Sequence, residues 1–296
     1  IMDYSQSHDY KDPVSNNSDD FQNHFFQVAN DYIDTFNKPY MNGEWGFTEL
    51  DLWLQHDPNA FELHNSLWSS AFSTAFGAVS NWWWDGYINQ NNLFSLYKPI
   101  SVFMNSLSIP SESFNSFKIH NVNGIRTYYM KNSNCDTIYG WAQDMNFHFQ
   151  SLKSTENGIN YLQTFNQIYR PNPSSSNNEI IIPVTNNNNT YIVKWYNALT
   201  GLEYQTSYEQ SSNSSIKINI PQELRSSEYG DAVFAIYLDC DKNIWREGIL
   251  NDNTYTNVNG NVVCNKNNSQ VFYKTFDERI NSIWWDDTSN TWKWSG

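Results

Sequence analysis

A carboxylate flanked by glycines is the sharpest chemical feature of the sequence. Gly43-Glu44-Trp45-Gly46 lies in a strand-like run that begins at Tyr40, and glycines allow a backbone to turn tightly beside a ligand. The next strand-like run ends in Trp82-Trp83-Trp84-Asp85. A carboxylate can act as a nucleophile or as a general acid or base, and indole rings offer flat apolar surfaces. Together the two runs predict a carboxylate beside an aromatic wall.

The elements that must position these residues alternate between strands and helices over 1–107. Apolar residues recur at helical spacing or as short strand-like runs, bounded by caps, glycines and prolines. We predict a helix over 21–36, a strand over 40–47, a helix from Asp57-Pro58 to Gly77, a strand over 78–84 and a helix over 93–107. This order is typical of parallel α/β architecture, in which catalytic groups collect at the carboxyl ends of barrel strands. The alternative for Glu44 is a solvated acid at a sheet edge.

Composition excludes several classes of partner. The 296 residues contain 17 Lys and Arg against 31 Asp and Glu, a net charge of −14, which disfavours binding to nucleic acid or anionic lipid. Aromatic residues make up 17% of the chain and charged residues only 16%. Neutral polar groups interleaved with flat rings suit sugars. Because no apolar run reaches the length needed to span a membrane, we expect a soluble protein.

The residue pattern of the sequence changes near residue 110. Short β-branched and aromatic runs, separated by Asn, Ser, Gly and Pro, predict an antiparallel β-sandwich over 110–239. A third residue pattern covers 240–296, where we predict strands near 271–273 and 280–285 before a closing TWKW. We therefore predict a multidomain α/β and all-β chain, divided at 1–109, 110–239 and 240–296, whose first and last parts are truncated.

Three sequence runs carry a family resemblance. HDY, GEWGF and LHNSLWSSAFSTAFGAVSNWWWDGYI resemble the last three strand–helix units, strands six to eight, of a clan A glycoside hydrolase, the (β/α)8 group that includes family 5 cellulases and mannanases. The resemblance implies a retaining hydrolase that cleaves β-glycosidic bonds of a polysaccharide or oligosaccharide by double displacement. It implies that Glu44 is the nucleophile, with Tyr10 hydrogen-bonded to it and His8 in the same subsite. It also implies that Trp83 or Trp84 floors the sugar; we add Trp45 and Asp85 as candidate substrate contacts.

The acid/base residue does not transfer from the family. There it is the Glu of an Asn-Glu pair on strand four, which precedes the nucleophile, whereas Asn178-Glu179 lies downstream of it here. We therefore expect the acid/base to precede Ile1 and this chain alone to be inactive. The 110–239 part resembles the β-sandwich that follows such barrels, and the tail is similar to one blade of a tectonin-like, fucose-binding-type lectin. The rival interpretations are a non-catalytic carbohydrate-binding protein and a structural spacer.

Sequons and cysteines bear on the compartment. Four Asn-x-Ser/Thr sequons, at Asn16, Asn188, Asn213 and Asn267, lead us to expect a secreted glycoprotein. The three cysteines show no CxxC spacing and have no His cluster nearby, so no metal is predicted, and we predict no cofactor. Cys240 with Cys264 is one possible disulfide, and three unpaired thiols, Cys135 included, are the alternative.

Overall fold

The computed structural model divides into two compact units, 1–237 and 238–296. In the first unit it describes residues 4–11, 21–51, 57, 59–73, 75, 77–107, 114–133, 136–147, 177–185 and 187–237. In the second it describes 238–239 and the backbone of five short strands. The predicted boundary near 110 lies inside the first unit.

The first unit combines helices and sheets, with strands in the majority. Its helices are α1 (Phe21–Phe36), α2 (Phe61–Ala71), α3 (Lys98–Ser106) and the short α4 (Gln222–Arg225). Its strands are β1 (Ser5–Lys11), β2 (Tyr40–Phe47), β3 (Phe114–Val122), β4 (Ile125–Asn132), β5 (Thr137–Asp144), β6 (Glu179–Pro183), β7 (Thr190–Tyr196), β8 (Glu203–Gln210), β9 (Ser215–Asn219) and β10 (Asp231–Leu238). β1 and β2 are parallel, β6 pairs with β9, and the other six strands form an antiparallel sheet in the order β3-β4-β5-β10-β7-β8.

The predicted helix over 21–36 and strand over 40–47 are confirmed. The next helix ends at Ala71, short of Gly77. The strand predicted over 78–84 is wrong, because the structure contains a single parallel bridge between Trp45 and Asn81. Asn81 Oδ1 accepts a hydrogen bond from the Trp83 backbone N–H at 2.8 Å, a side-chain turn that takes the chain out of the sheet. A π-helical turn, Trp84–Asn89, follows.

The helices of 1–107 and the six-stranded sheet share one hydrophobic core. Phe103 of α3 lies 4.9 Å, ring centre to ring centre, from Tyr196 of β7, and Trp68 Nε1 of α2 donates to the Ala198 carbonyl at 3.3 Å. Ten of the eleven residues of α2 are buried, polar ones included. A helix covered all round is a core element, so the helical part and the sheet form one compact unit.

Buried polar contacts also cross between the helices and the sheet. His64 Nε2 of α2 lies 2.8 Å from Asp231 Oδ2 of β10, and Trp141 Nε1 donates to the same oxygen at 2.6 Å. Arg126 of β4 donates to Gln22 Oε1 of α1 at 2.9 Å. Because an unmatched buried polar group is costly, these contacts restrict how α1 and α2 can pack on the sheet.

The second unit contains two small antiparallel sheets. The first consists of β11 (Tyr255–Val258), β12 (Asn261–Lys266) and β13 (Ser269–Phe272), and the second of β14 (Ile283–Asp286) and β15 (Thr291–Trp294). In the β14–β15 register Trp285 is opposite Trp292. Cys135 and Cys240 lie outside the described residues, so the disulfide stays a prediction. Among the described helices none combines the length and apolar character needed to cross a membrane.

Candidate active site

The pleat of β1 and β2 brings the predicted catalytic residues onto one face. His8 is in register with Glu44 and Tyr10 with Gly46. Gln6, His8 and Tyr10 alternate with the less exposed Ser7 and Asp9, as expected for a strand whose two faces differ. The exposed face of this strand pair therefore carries imidazole, phenol and carboxylate side chains.

Two side chains of β1 contact the same oxygen of Glu44. The Tyr10 hydroxyl donates to Oε2 at 2.7 Å, and His8 Nδ1 lies 3.2 Å from Oε2. Desolvation by burial, followed by the hydrogen bond to Glu44, raises the pKa of Tyr10 above its ordinary value, so the phenol stays protonated as a donor. The two contacts orient the carboxylate through one oxygen, and Oε1 takes part in neither.

Gly43 permits this close approach of the two strands. A Cβ at position 43 would lie 3.1 Å from His8 Nε2 and 3.2 Å from Gln6 Nε2, closer than most real Cβ contacts. The register shifts between Ser7 and His8 at the same level, as in a β-bulge that re-aims a side chain. The glycine noticed in the sequence thus leaves room for the imidazole beside Glu44.

The opposite face of the strand pair holds a second polar cluster, centred on Asp9. Its Oδ2 accepts hydrogen bonds from Ser7 Oγ and Asn42 Nδ2, both at 2.6 Å, and its Oδ1 lies 2.9 Å from His24 Nε2 of α1. Burial raises the pKa of Asp9, but the hydrogen bonds from His24, Ser7 and Asn42 outweigh burial and bring the pKa below its usual value. A charged Asp9 therefore ties β1 to both β2 and α1.

Trp45 does not share the face of Glu44, which corrects its predicted role in substrate binding. Successive side chains of a strand point to opposite faces, and Trp45 is 0% exposed. Its ring packs edge-on against Phe21 at 4.8 Å and Phe25 at 5.4 Å, between ring centres. Trp45 is a core residue that fixes α1 on β2.

The three consecutive tryptophans have different environments. Trp83 is half-buried against the core, with its Nε1 donating to the Phe47 carbonyl at 2.8 Å. Trp82 and Trp84 are 47% and 57% exposed. The Trp82 N–H donates to the Trp45 carbonyl at 2.9 Å, one residue beyond the Trp45–Asn81 bridge. Strand alternation therefore places Trp82 on the side of the sheet that carries Glu44.

One predicted substrate contact, Asp85, and two residues without a predicted role, Trp82 and Asp9, remain to be placed. Asp85 lies in the π-helical turn, where its Oδ1 accepts from the Gly86 N–H at 2.7 Å. The sequence patterns indicated no site role for Trp82 or Asp9. Trp82 could have been found if the third strand-like run had been ended at Asn81, because the side chain after Asn81 then points to the face opposite to that of Asn81. Asp9 could have been found by comparing the two faces of β1, because His8 and Tyr10 flank it.

The chemistry available here is that of an oriented carboxylate. Among the described residues no three His, Cys, Asp or Glu side chains come together as for a metal ion. Glu44 can attack an electrophilic carbon or accept a proton, with Tyr10 and His8 controlling its orientation. No family model matches the chain, and no curated protein matches it.

Proposed function

We propose that the chain carries the nucleophile of a retaining glycoside hydrolase that acts on β-glycosidic bonds of a polysaccharide or oligosaccharide. In this proposal residues 1–109 correspond to the last part of a (β/α)8 barrel, of which β1 and β2 are the paired parallel strands, followed by a β-sandwich. The observation that supports it is the pair of contacts from Tyr10 and His8 to one oxygen of Glu44, on adjacent parallel strands. The proposal explains why the polar side chains on the exposed face of β1 and β2 contact one another. Solvated charges at an ordinary sheet edge need no such contacts.

Glu44 would act by double displacement. Its carboxylate attacks the anomeric carbon, the bond to the leaving oxygen breaks, and water then hydrolyses the glycosyl ester. The Tyr10 hydrogen bond holds one carboxylate oxygen while the other attacks. The mechanism also needs an acid/base carboxyl about 5–5.5 Å away; in the part of the chain that the structure describes, Glu44 contacts Tyr10 and His8, which do not supply this group.

The exposed tryptophans that follow the Trp45–Asn81 bridge indicate the class of substrate. Trp82 presents a half-exposed indole on the side of the sheet that carries Glu44, and an indole face packs against the C–H face of a pyranose. The net charge of −14 favours a neutral glycan over an anionic one. Trp82 is therefore the sugar contact that this proposal puts first, ahead of Trp83 and Trp84.

Trapping the covalent intermediate tests the assignment. A 2-deoxy-2-fluoro-glycosyl fluoride carries a leaving group that departs without acid catalysis, so labelling reports on the nucleophile. The protein expressed from its complete gene should be labelled, and peptide mass spectrometry should locate the sugar on Glu44. The Glu44→Gln variant is the matched control and should remain unlabelled. Label on another residue, or full hydrolysis by Glu44→Gln, would overturn the proposal.

A non-catalytic carbohydrate-binding protein is the second candidate, and the exposed indoles of Trp82 and Trp84 favour it. The two candidates differ in what Glu44→Gln does. For the binding protein, the wild type turns over no glycoside and the variant keeps its affinity for oligosaccharides. For the hydrolase, the wild type turns over and the variant binds without turnover.

A further inference from the structure

Two of the four sequons lie on loop tips that the structure describes. Asn188 and Asn213 have exposed side chains and left-handed backbones, with φ of 61° and 49°. Their surroundings contrast with those of Asn189, the middle residue of the Asn188 sequon, which is not an acceptor and is 1% exposed. An N-linked glycan requires an acceptor on the surface of the folded protein, and both acceptors meet this requirement.

The two loops are hydrogen-bonded neighbours. The Asn188 N–H donates to the Ser211 carbonyl at 2.9 Å, and the Ser211 N–H donates to the Asn189 carbonyl at 2.8 Å. The Ser214 N–H also donates to the Asn187 side chain. The loop before β7 and the turn between β8 and β9 are therefore joined by hydrogen bonds at one end of the β7–β8 pair, with both acceptors on them.

We propose that Asn188 and Asn213 each carry an N-linked glycan. The donor is an oligosaccharide linked to a lipid pyrophosphate. Asn Nδ2 forms a bond to C1 of its first sugar and loses a proton, while the bond from C1 to the pyrophosphate oxygen breaks and the lipid pyrophosphate leaves with the electron pair. This inference concerns the compartment and surface of the protein and does not depend on the role of Glu44.

The position of the glycans has a consequence for the sheet. β8 is an edge strand of the six-stranded sheet with Tyr208 exposed on it. Its final residue, Gln210, pairs with Thr190, the third residue of the Asn188 sequon. An exposed edge is a template for pairing with another chain. Glycans on the adjoining loops would stand at the end of this edge and obstruct such pairing.

Site-specific glycan mapping tests the proposal. The full chain is secreted from eukaryotic cells behind a secretion leader, and an amidase removes the N-glycans in heavy-oxygen water, which marks each occupied Asn as labelled Asp. Peptides containing Asn188 and Asn213 should both carry the mark. Secreted, folded protein with either Asn unmodified would overturn the proposal for that site, and failure of the chain to be secreted would overturn it for both.

Paired variants separate sequon chemistry from misfolding. Ser215→Ala removes the Asn213 sequon, whereas Ser214→Gly keeps it and suits the positive φ of 56° at that residue. The mark on Asn213 should disappear in the first variant and persist in the second. Asn188→Gln should lose only the mark at its own site. Persistence of the mark in Ser215→Ala would show that Asn213 is modified by another route and would contradict the inference.

Discussion

Asp9 accepts a hydrogen bond from Asn42 Nδ2 at 2.6 Å, across the same strand pair whose other face carries Glu44. Asp9 lies between His8 and Tyr10, and Asn42 lies two residues before Glu44. The bond therefore fixes β1 against β2 directly behind the two contacts to the carboxylate. A charged group on the hidden face of the sheet positions the groups on the exposed face.

Asp9→Asn should weaken this arrangement. An amide offers one acceptor oxygen, so it cannot accept from Ser7, Asn42 and His24 together, and we expect unfolding to become easier by about 1–3 kcal/mol. The Tyr10–Glu44 hydrogen bond should loosen, and the ring NMR signals of Tyr10, assigned with Tyr10→Phe, should shift towards those of an exposed tyrosine. The exposed Asp34→Asn is the control, and unchanged Tyr10 signals in Asp9→Asn would contradict the positioning role.

Tyr10→Phe removes the donor to Glu44 Oε2 and leaves the ring. Hydrogen bonds to charged groups contribute about 1.5–3 kcal/mol, so kcat/KM of the protein expressed from its complete gene should fall about ten- to hundredfold. Tyr4→Phe, at an exposed tyrosine on the edge of the same segment, should keep full activity. Equal rates for Tyr10→Phe and wild type would remove Tyr10 from the mechanism.

Trp82 and Trp84 are both exposed but should contribute unequally to sugar binding. Since Trp82 directly follows the bridge between Asn81 and Trp45, on the side of the sheet that carries Glu44, Trp82→Ala should lower affinity for oligosaccharides about two- to tenfold, the range expected for aromatic contacts of about 0.5–1.5 kcal/mol. Trp84→Ala should bind like wild type. Titration calorimetry on both variants measures the difference, and the reverse order would show that the aromatic contact lies on the π-helical turn.

Asp57 should make stability depend on pH. Its carboxylate is buried and accepts from the Glu62 and Leu63 N–H groups at the start of α2. Burial, despite these hydrogen bonds, raises its pKa from 3.8 to about 7. Between these values the folded state keeps a proton that the unfolded chain releases, so the free energy of unfolding should fall as pH rises from about 4 to about 7.

Asp57→Asn removes this titration and retains an acceptor for the helix N–H groups. Urea unfolding of wild type and variant across the same pH range should show a difference in stability that changes by a few kcal/mol. Asp31→Asn, at an exposed position of α1, should change the profile far less. Parallel profiles for wild type and Asp57→Asn would mean that Asp57 does not exchange a proton on unfolding in this range.

Local periodicity in the sequence predicted the elements whose two faces differ. α1 follows from the helical spacing of Phe21 and Phe25, which bury one side of the helix, and β2 follows from the short strand-like run that begins at Tyr40. β8 escaped prediction because EYQTSYEQ is exposed on most positions of an edge strand and shows no apolar alternation. The π-helical turn follows the hydrogen bond from the Trp83 N–H to the Asn81 side chain, and hydrophobic periodicity carries no sign of either.

The residues of the candidate site were partly predictable from the sequence, but the face on which Trp82 lies was not. His8, Tyr10 and Glu44 were named from sequence, and the structure brings the three together. Trp45 directly follows Glu44 in β2, so strand alternation alone puts its ring on the opposite face. The position of Trp82 depends on where the third parallel segment leaves the sheet, just after the Trp45–Asn81 bridge. The links from α2 to β10, such as His64 to Asp231, join residues 167 positions apart and lie beyond any local pattern.

The shared core of the helices and the six-stranded sheet has an evolutionary consequence. Modules that recombine freely between genes meet through small polar surfaces, whereas Trp68 donates to the Ala198 carbonyl and His64 contacts Asp231 within one buried core. If recombination replaced the helical part or the six-stranded sheet, Asp231 would lose its contact with His64 and Arg126 its contact with Gln22. We therefore expect descendants of this chain to inherit 1–237 as a single heritable block, with substitutions in α2 accompanied by substitutions in β10.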